Sequence, residues 1–208
     1  MNLRDVMISR RTIRRFKAEH PGRDRIEQLI EMAITAPSAG NRQPWRFFAC
    51  DDRIRIDRMA RAVQTEVDSI VQHVEPAYMD AFREYGDYFV RFQNAPVVIG
   101  AAFREIVVLS NLVDSRLHSS SFEQIRTMEF YSGLTSTSLA LQNLLLYAHE
   151  SGLGASCMTG PLVAANAIKE ILGIPGVWNL AAVVAVGYPD EEPAPTNRKS
   201  TESVLRWV

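Results

Sequence analysis

The sequence is poor in cysteine, has no clustered histidine, no excess charge of either sign and no long apolar run, and each shortage excludes a class of function. Two cysteines, Cys50 and Cys157, in 208 residues are too few for the disulfide framework of a small secreted domain, so both are expected as reduced thiols. The four histidines, His20, His73, His118 and His149, are dispersed, and no Cys-x-x-Cys or His-x-x-x-His pair occurs. No metal site is therefore expected. The 23 basic and 24 acidic residues leave a net charge of −1, which gives no whole-protein field for nucleic acid or an anionic membrane. No run approaches the roughly 20 apolar residues that a membrane-spanning helix needs. Met1–Arg15 carries Arg4, Arg10 and Arg11 where a secretory signal would be apolar. The expectation is a cytoplasmic protein without membrane or nucleic-acid partners.

Familiar catalytic signatures are missing as well. No Gly-x-Gly-x-x-Gly loop follows a strand, no phosphate loop ends in Gly-Lys-Ser/Thr, and no Gly-x-Ser-x-Gly nucleophile elbow is present. A chain without an obvious catalytic side chain fits chemistry supplied by a cofactor. What is there is an ordinary globular composition, 47% hydrophobic and 23% charged, which speaks against disorder. The length suits one domain over 1–208, and no repeat or linker divides it.

Periodicity places the elements. Ile26, Leu29, Ile30, Ala33 and Ile34 form one helical stripe that Pro37 ends. Trp45–Cys50 reads as a short strand, and Pro96–Phe103 and Leu180–Val186 as buried strands. Residues 53–93 read as helices without legible boundaries, and 104–121 as irregular, with a Ser-rich loop at its end. Leu134–Glu150 is apolar on most faces, predicting a helix buried nearly all round, with Gly152 as its left-handed stop. Pro161 is expected to open a further helix that Gly173 ends.

Four segments carry chemistry, each with a plain alternative. Ser9–Phe16 packs Arg10, Arg11, Arg14 and Arg15 around Thr12. It is either a solvated helix face, with Arg10 and Arg14 aligned, or a phosphate site built from planar guanidinium forks. Pro37-Ser38-Ala39-Gly40-Asn41-Arg42-Gln43-Pro44 is either a surface turn or a loop whose small residues let a polar heterocycle approach the backbone. Gly154–Pro161 is either a helix cap around a packed Cys157 thiol or a stabiliser of electron-rich atoms near a helix N-terminus. Asn197-Arg198-Lys199 is either a solvated tail or a late addition to an anion site.

In this order the segments resemble the FMN-dependent nitroreductase family. The resemblance rests on Arg10-Arg11-Thr12-Ile13-Arg14-Arg15-Phe16, on Pro37 through Phe47, on Asn94-Ala95-Pro96-Val97-Val98-Ile99 and on Gln142-Asn143-Leu144-Leu145-Leu146. It continues through Gly152-Leu153-Gly154, Ile168 to Pro175, Gly187-Tyr188-Pro189 and Arg198-Lys199.

The resemblance implies an α+β fold: a central mixed, mainly antiparallel sheet flanked by helices, in an intertwined homodimer with FMN at the subunit interface. Arg10, Arg11, Thr12 and Arg14, with Arg198 and Lys199, are then expected at the FMN phosphate and polar flavin edge. Pro37, Ser38, Ala39 and Asn41 are expected to reach the flavin of the other subunit, and Met158, Thr159 and Gly160 to lie beside N5. The implied reaction is ping-pong transfer through N5 from NADH or NADPH to a small acceptor such as a nitroaromatic or quinone. Segments 64–93 and 104–127 are the candidate lids. The sequence departs from the family's Glu-Gly pair beside N5, reading Cys157-Met158-Thr159-Gly160-Pro161. The N5 donor is then a backbone N–H or the Thr159 hydroxyl, the latter resembling relatives that work in single-electron steps. The same fold admits other FMN chemistry (reductive dehalogenation, flavin fragmentation, an unusual dehydrogenation) or a flavin-binding protein that does not turn over.

Overall fold

In a computed structural model, which describes residues 2–114 and 116–208, four strands form one sheet. β1 (Trp45–Cys50), β2 (Val97–Phe103), β3 (Gly154–Met158) and β4 (Asn179–Gly187) stand in the order β1-β2-β4-β3. The α-helices are α1 (Leu3–Ser9), α2 (Arg23–Ala33), α3 (Arg53–Val71), α4 (Met79–Asp87), α5 (Ser119–Glu150), α6 (Ala165–Leu172) and α7 (Thr201–Val204). The α+β expectation holds, and the expected mixed sheet is antiparallel at each of its three pairings.

Side chains alternate across the pleat, so the sheet feeds two cores. Val98, Ala102, Val183 and Ala185 face a core closed by α3, α6 and the 3₁₀ segment Tyr88–Asn94. Val97, Ile99, Ala101, Ala182, Val184 and Val186 face a second core closed by α2 and α5. Phe92 and Phe103 are almost completely buried, each worth roughly 1.5–3 kcal/mol of transfer free energy. The apolar runs of β2 and β4 are continuous because helices cover both faces of the central strands.

Local chemistry sets several boundaries. The Asp52 side chain accepts the Ile54 N–H at 2.8 Å and the Arg55 N–H at 3.3 Å, starting α3. At the end of α5, Leu153 N donates to Ala148 O (2.7 Å) and Gly152 N to His149 O (3.2 Å), with Gly152 at φ 80°. This paired closure requires a left-handed residue.

Four expectations are corrected. Arg10–Arg15 is an extended arm, not a helix, and Arg10 has φ −54° and ψ 131°. The edge strand β3 offers free backbone groups, and the arm takes them: Ile13 N donates to Ala155 O at 3.1 Å, and Ile13 packs over Gly154, where a Cβ would collide. The Ser-rich segment begins α5, because His118 caps the first turn and hydroxyl residues are tolerated there. Pro161 lies in a 3₁₀ turn, Gly160–Ala164, ahead of α6. In the single chain α5 is buried on one side only: Ala140, Leu141, Leu144 and Ala148 are inside, while Met128, Tyr131 and Leu139 are exposed.

Candidate functional site

The extended arm collects the first cluster. Arg10 is half-buried, and its pKa is lowered by burial first, then by the like charges of Arg198 and Arg11. The late basic residue therefore lies within electrostatic reach of the N-terminal pair. None of Arg10, Arg11, Arg14 and Arg198 forms an ion pair among the described residues. Positive charge gathered without a carboxylate is costly unless an anion joins it. His149 closes the back of the cluster, accepting from or donating to Ser9 Oγ at 2.8 Å. Burial, then Arg10 and Arg11, hold its imidazole below the ordinary range and favour the neutral form.

The arginines have different tasks. The Arg11 guanidinium caps the end of α1 through the carbonyls of Ile8 (2.8 Å), Ser9 (3.0 Å) and Arg10 (3.0 Å), placing its charge where the helix dipole favours it. Arg198 also bonds Thr196 Oγ1 at 2.8 Å. Lys199 is exposed on the tail and Thr12 is half-buried on the arm.

A second cluster joins the arm to Tyr88–Asn94. The Arg91 guanidinium stacks 3.8 Å from the Tyr88 ring centre, and Arg14 approaches the same ring at 5.6 Å. Glu191 fixes the arm from behind, accepting the Arg14 N–H at 2.5 Å and the Arg15 N–H at 3.0 Å. Phe89 lies against Gly160, where any Cβ would run into its ring. Met158, Thr159 and Gly160 thus lie on the same flank as Arg14, with Phe89 next in sequence to the ring that Arg14 faces. Met158 is partly buried against the core and Thr159 is exposed. Cys157 is exposed on β3 in the single chain, so the expected packed thiol is corrected: it pairs with Val184 and shares the second core's side of the sheet, but on this edge strand it is left uncovered.

The small-residue loop lies elsewhere. Pro37, Ser38 and Ala39 line a groove of about 440 Å³ with Met128, Tyr131, Ser132, Thr135, Ser136 and Leu139 of α5. Its backbone is already committed. Ala39 N donates to Ser136 Oγ (3.2 Å), Asn41 N to Ser38 O (2.9 Å), Arg42 N to Ala39 O (3.1 Å) and Gln43 N to Ser38 Oγ (3.0 Å). These bonds hold Gly40, Asn41 and Gln43 at φ 55°, 52° and 46°. The two non-glycine residues cost about 1–3 kcal/mol each in that region. Approach to this loop is therefore through side chains such as that of Asn41 and the bare Cα of Gly40, rather than through free N–H groups.

One chain thus presents two separate clusters. One gathers Arg198 with Arg10 and Arg11, which lie on the same arm as Arg14, and Arg14 faces the flank of the 158–160 turn; the other gathers Pro37, Ser38 and Ala39 against α5, with Asn41 two residues on in the same loop. Sequence reasoning missed Tyr88, Arg91 and Glu191. The stretch that holds the first two mixes charged and apolar positions without a motif, and Glu191 acts on backbone donors 177 and 176 residues away.

Known proteins resemble this chain in sequence and in fold. Residues 7–188 match the model of the Nitroreductase family. The whole chain is 26% identical to a Thermus thermophilus protein named NADH dehydrogenase, over 96% of that protein. Among solved structures, a BluB-like flavoprotein from Clostridium difficile 630 superposes with a TM-score of 0.84 at 22% identity, covering 100% of this chain and 99% of that one. An iodotyrosine deiodinase bound to FMN and 3-iodo-L-tyrosine superposes with a TM-score of 0.75 at 23% identity, covering 99% and 98%.

Proposed function

The chain belongs to the nitroreductase family, and from that premise we propose that it is an FMN-dependent oxidoreductase taking electrons from NADH or NADPH to a small organic acceptor such as a nitroaromatic or quinone. The observation that carries the reading is the group of guanidiniums at Arg10, Arg11 and Arg198, none of which forms an ion pair among the described residues. Its chemistry fits a phosphate dianion: forked donors, positive charge without a carboxylate, and a neutral His149 behind it. The bound cofactor supplies reversible electron exchange at flavin N5.

The chain's own residues bind and orient. Arg10 and Arg198 hold the phosphate, with Thr12 as a hydroxyl donor and Lys199 as outer charge. Arg11 adds its field from the end of α1. Arg14 and Arg91, ordered on the Tyr88 ring, supply positive charge to the electron-rich edge of the flavin. Thr159 offers a hydroxyl with no hydrogen-bond partner among the described residues, and Met158 and Gly160 supply the flat wall beside it. Pro37, Ser38, Ala39 and Asn41 complete the site of a second copy in a homodimer, because the first three face a groove separate from the arginines of their own chain and Asn41 belongs to the same loop. The whole of 1–208 serves as one FMN-binding domain. Segments 64–93 and 104–127, the second including Ser115 outside the described residues, are the acceptor-facing candidates.

The test is anaerobic. Purified protein reconstituted with FMN should be bleached by NADH or NADPH and recoloured by a nitroaromatic or quinone. A flavin-loaded protein that neither nicotinamide reduces overturns the donor assignment. A second reading, reductive dehalogenation, is favoured by the unpartnered Thr159 hydroxyl and the likeness to the deiodinase fold. Halide release from a halophenol by the chemically reduced protein would establish it, and no release would remove it.

A further inference from the structure

Glu129 is a buried carboxylate that the proposed redox site leaves unused. It lies on α5 with 2% of its surface exposed, and its bonds all go to one segment. Its Oε1 accepts the N–H of Val108 at 2.8 Å and of Ser110 at 3.0 Å, and its Oε2 accepts the Ser110 hydroxyl at 2.6 Å. Its own carbonyl accepts the Ile106 N–H at 3.2 Å. Burial pushes this carboxyl up, but the Ser110 hydroxyl and the N–H groups of Ser110, Val108 and Leu109 outweigh it and hold it below the ordinary carboxylate range. No cation forms an ion pair with it among the described residues.

The same side of α5 continues the grip. Gly133, one turn on, lies against the Arg104 carbonyl, where a Cβ would collide. Ser136, a further turn on, accepts the Ala39 N–H at 3.2 Å. The spacing 129, 133, 136 puts all three on one stripe. That stripe seats strap 104–112 beside the 37–44 loop. The two segments also share a cleft of about 220 Å³ lined by Arg42, Pro44 and residues 104–108. Val107, Val108, Leu109 and Leu112 of the strap are exposed. An apolar strap beside the small-residue loop is thus held by a charged, desolvated latch, which releases as a unit if the charge is lost.

We infer that Glu129 is a positioning residue: it latches strap 104–112 against α5 and so sets the apolar flank of the acceptor pocket without touching flavin or acceptor. The part that concerns the acceptor rests on the redox reading above. The latch itself does not.

The experiment compares wild type with Glu129→Gln and, from the strap side, Ser110→Ala, which removes one latch bond and leaves the helix intact. Hydrogen exchange on the full chain should show amides 106–112 exchanging about ten- to a hundredfold faster in Glu129→Gln, the range expected for a lost charged hydrogen bond. Ser110→Ala should give a smaller change of the same sign. With FMN bound and menadione as acceptor, the KM for menadione should rise several-fold while flavin content and the rate of flavin reduction by nicotinamide stay at the wild-type level. Unchanged exchange at 106–112 in both variants overturns the latch. Faster exchange with an unchanged menadione KM overturns its role at the acceptor pocket. A wild type that does not turn over menadione at all also overturns that role, while the exchange comparison, which needs no flavin, still decides the latch.

Discussion

Arg10→Ala should move two measurements in opposite directions. In the flavin-free protein Arg10 sits half-buried among Arg198 and Arg11, and burial first, then both like charges, disfavour its protonated form. Removing it relieves repulsion worth roughly 0.5–1 kcal/mol at surface dielectric. In a domain of this size that is an apparent melting point about 1–4 °C higher. With FMN the sign reverses. A phosphate losing one forked guanidinium partner forfeits about 1.5–3 kcal/mol, which is roughly a 10- to 150-fold rise in Kd. Differential scanning fluorimetry of the apoprotein and flavin-fluorescence titration read the two arms. Arg15→Ala is the control, because Arg15 points outward and pairs with Glu191 at 3.5 Å; its FMN affinity should stay within about twofold. An Arg10→Ala apoprotein that melts lower would refute the repulsion argument, and an unchanged Kd for FMN would remove Arg10 from the phosphate site.

Gly160→Ala should destabilise by about 1–3 kcal/mol, because its Cβ runs into the buried Phe89 ring; chemical denaturation measures it, and a neutral result would mean that the ring yields freely. Thr137→Val should stabilise by about 1 kcal/mol, since the Thr137 hydroxyl is fully buried without a hydrogen-bond partner among the described residues, and a fall in melting point would contradict that. For Glu191, burial pushes the carboxyl up, but the Arg14 and Arg15 N–H groups and their charges outweigh it, so its pKa lies below the ordinary 4.5. A lowered carboxylate contributes stability above its unfolded value and loses it as pH falls through the folded one. The stability gap between wild type and Glu191→Gln should therefore narrow below pH 4.5, and a gap constant from pH 7 to 3.5 would show that ionised Glu191 does not hold the arm. If two copies share the flavin, FMN at a hundredfold over its Kd should tighten the dimer by up to about 2.7 kcal/mol per bound site, and sedimentation showing equal dimer dissociation with and without FMN would count against a shared site.

How much of this was legible in the sequence depends on the range of the interaction. β1 is bounded where expected because Pro44 and Asp51-Asp52 bracket an aromatic run, and α5 and α6 stop at Gly152 and Gly173 because a left-handed residue is a local requirement. The arginine arm was legible as charge and misread as conformation: arginines four apart suit a helix face, but β3 offered its edge to Ile13 instead. Arg91 and Tyr88 carry no motif, and only the fold brings them against Arg14. Glu129 and Glu191 were invisible for a different reason. Each acts by accepting backbone N–H groups, and backbone donors have no signature in a sequence.

The two clusters fit one proposed site. Guanidiniums gathered without a carboxylate raise the energy of an empty site, and a bound phosphate is the ligand that lowers it most. An α5 face that leaves Met128, Tyr131 and Leu139 exposed beside Pro37–Ala39 leaves apolar area in water, and a second copy of the chain would cover it. If the same flavin spans both features, anion binding and subunit association are one coupled equilibrium, and neither can be weakened without weakening the other.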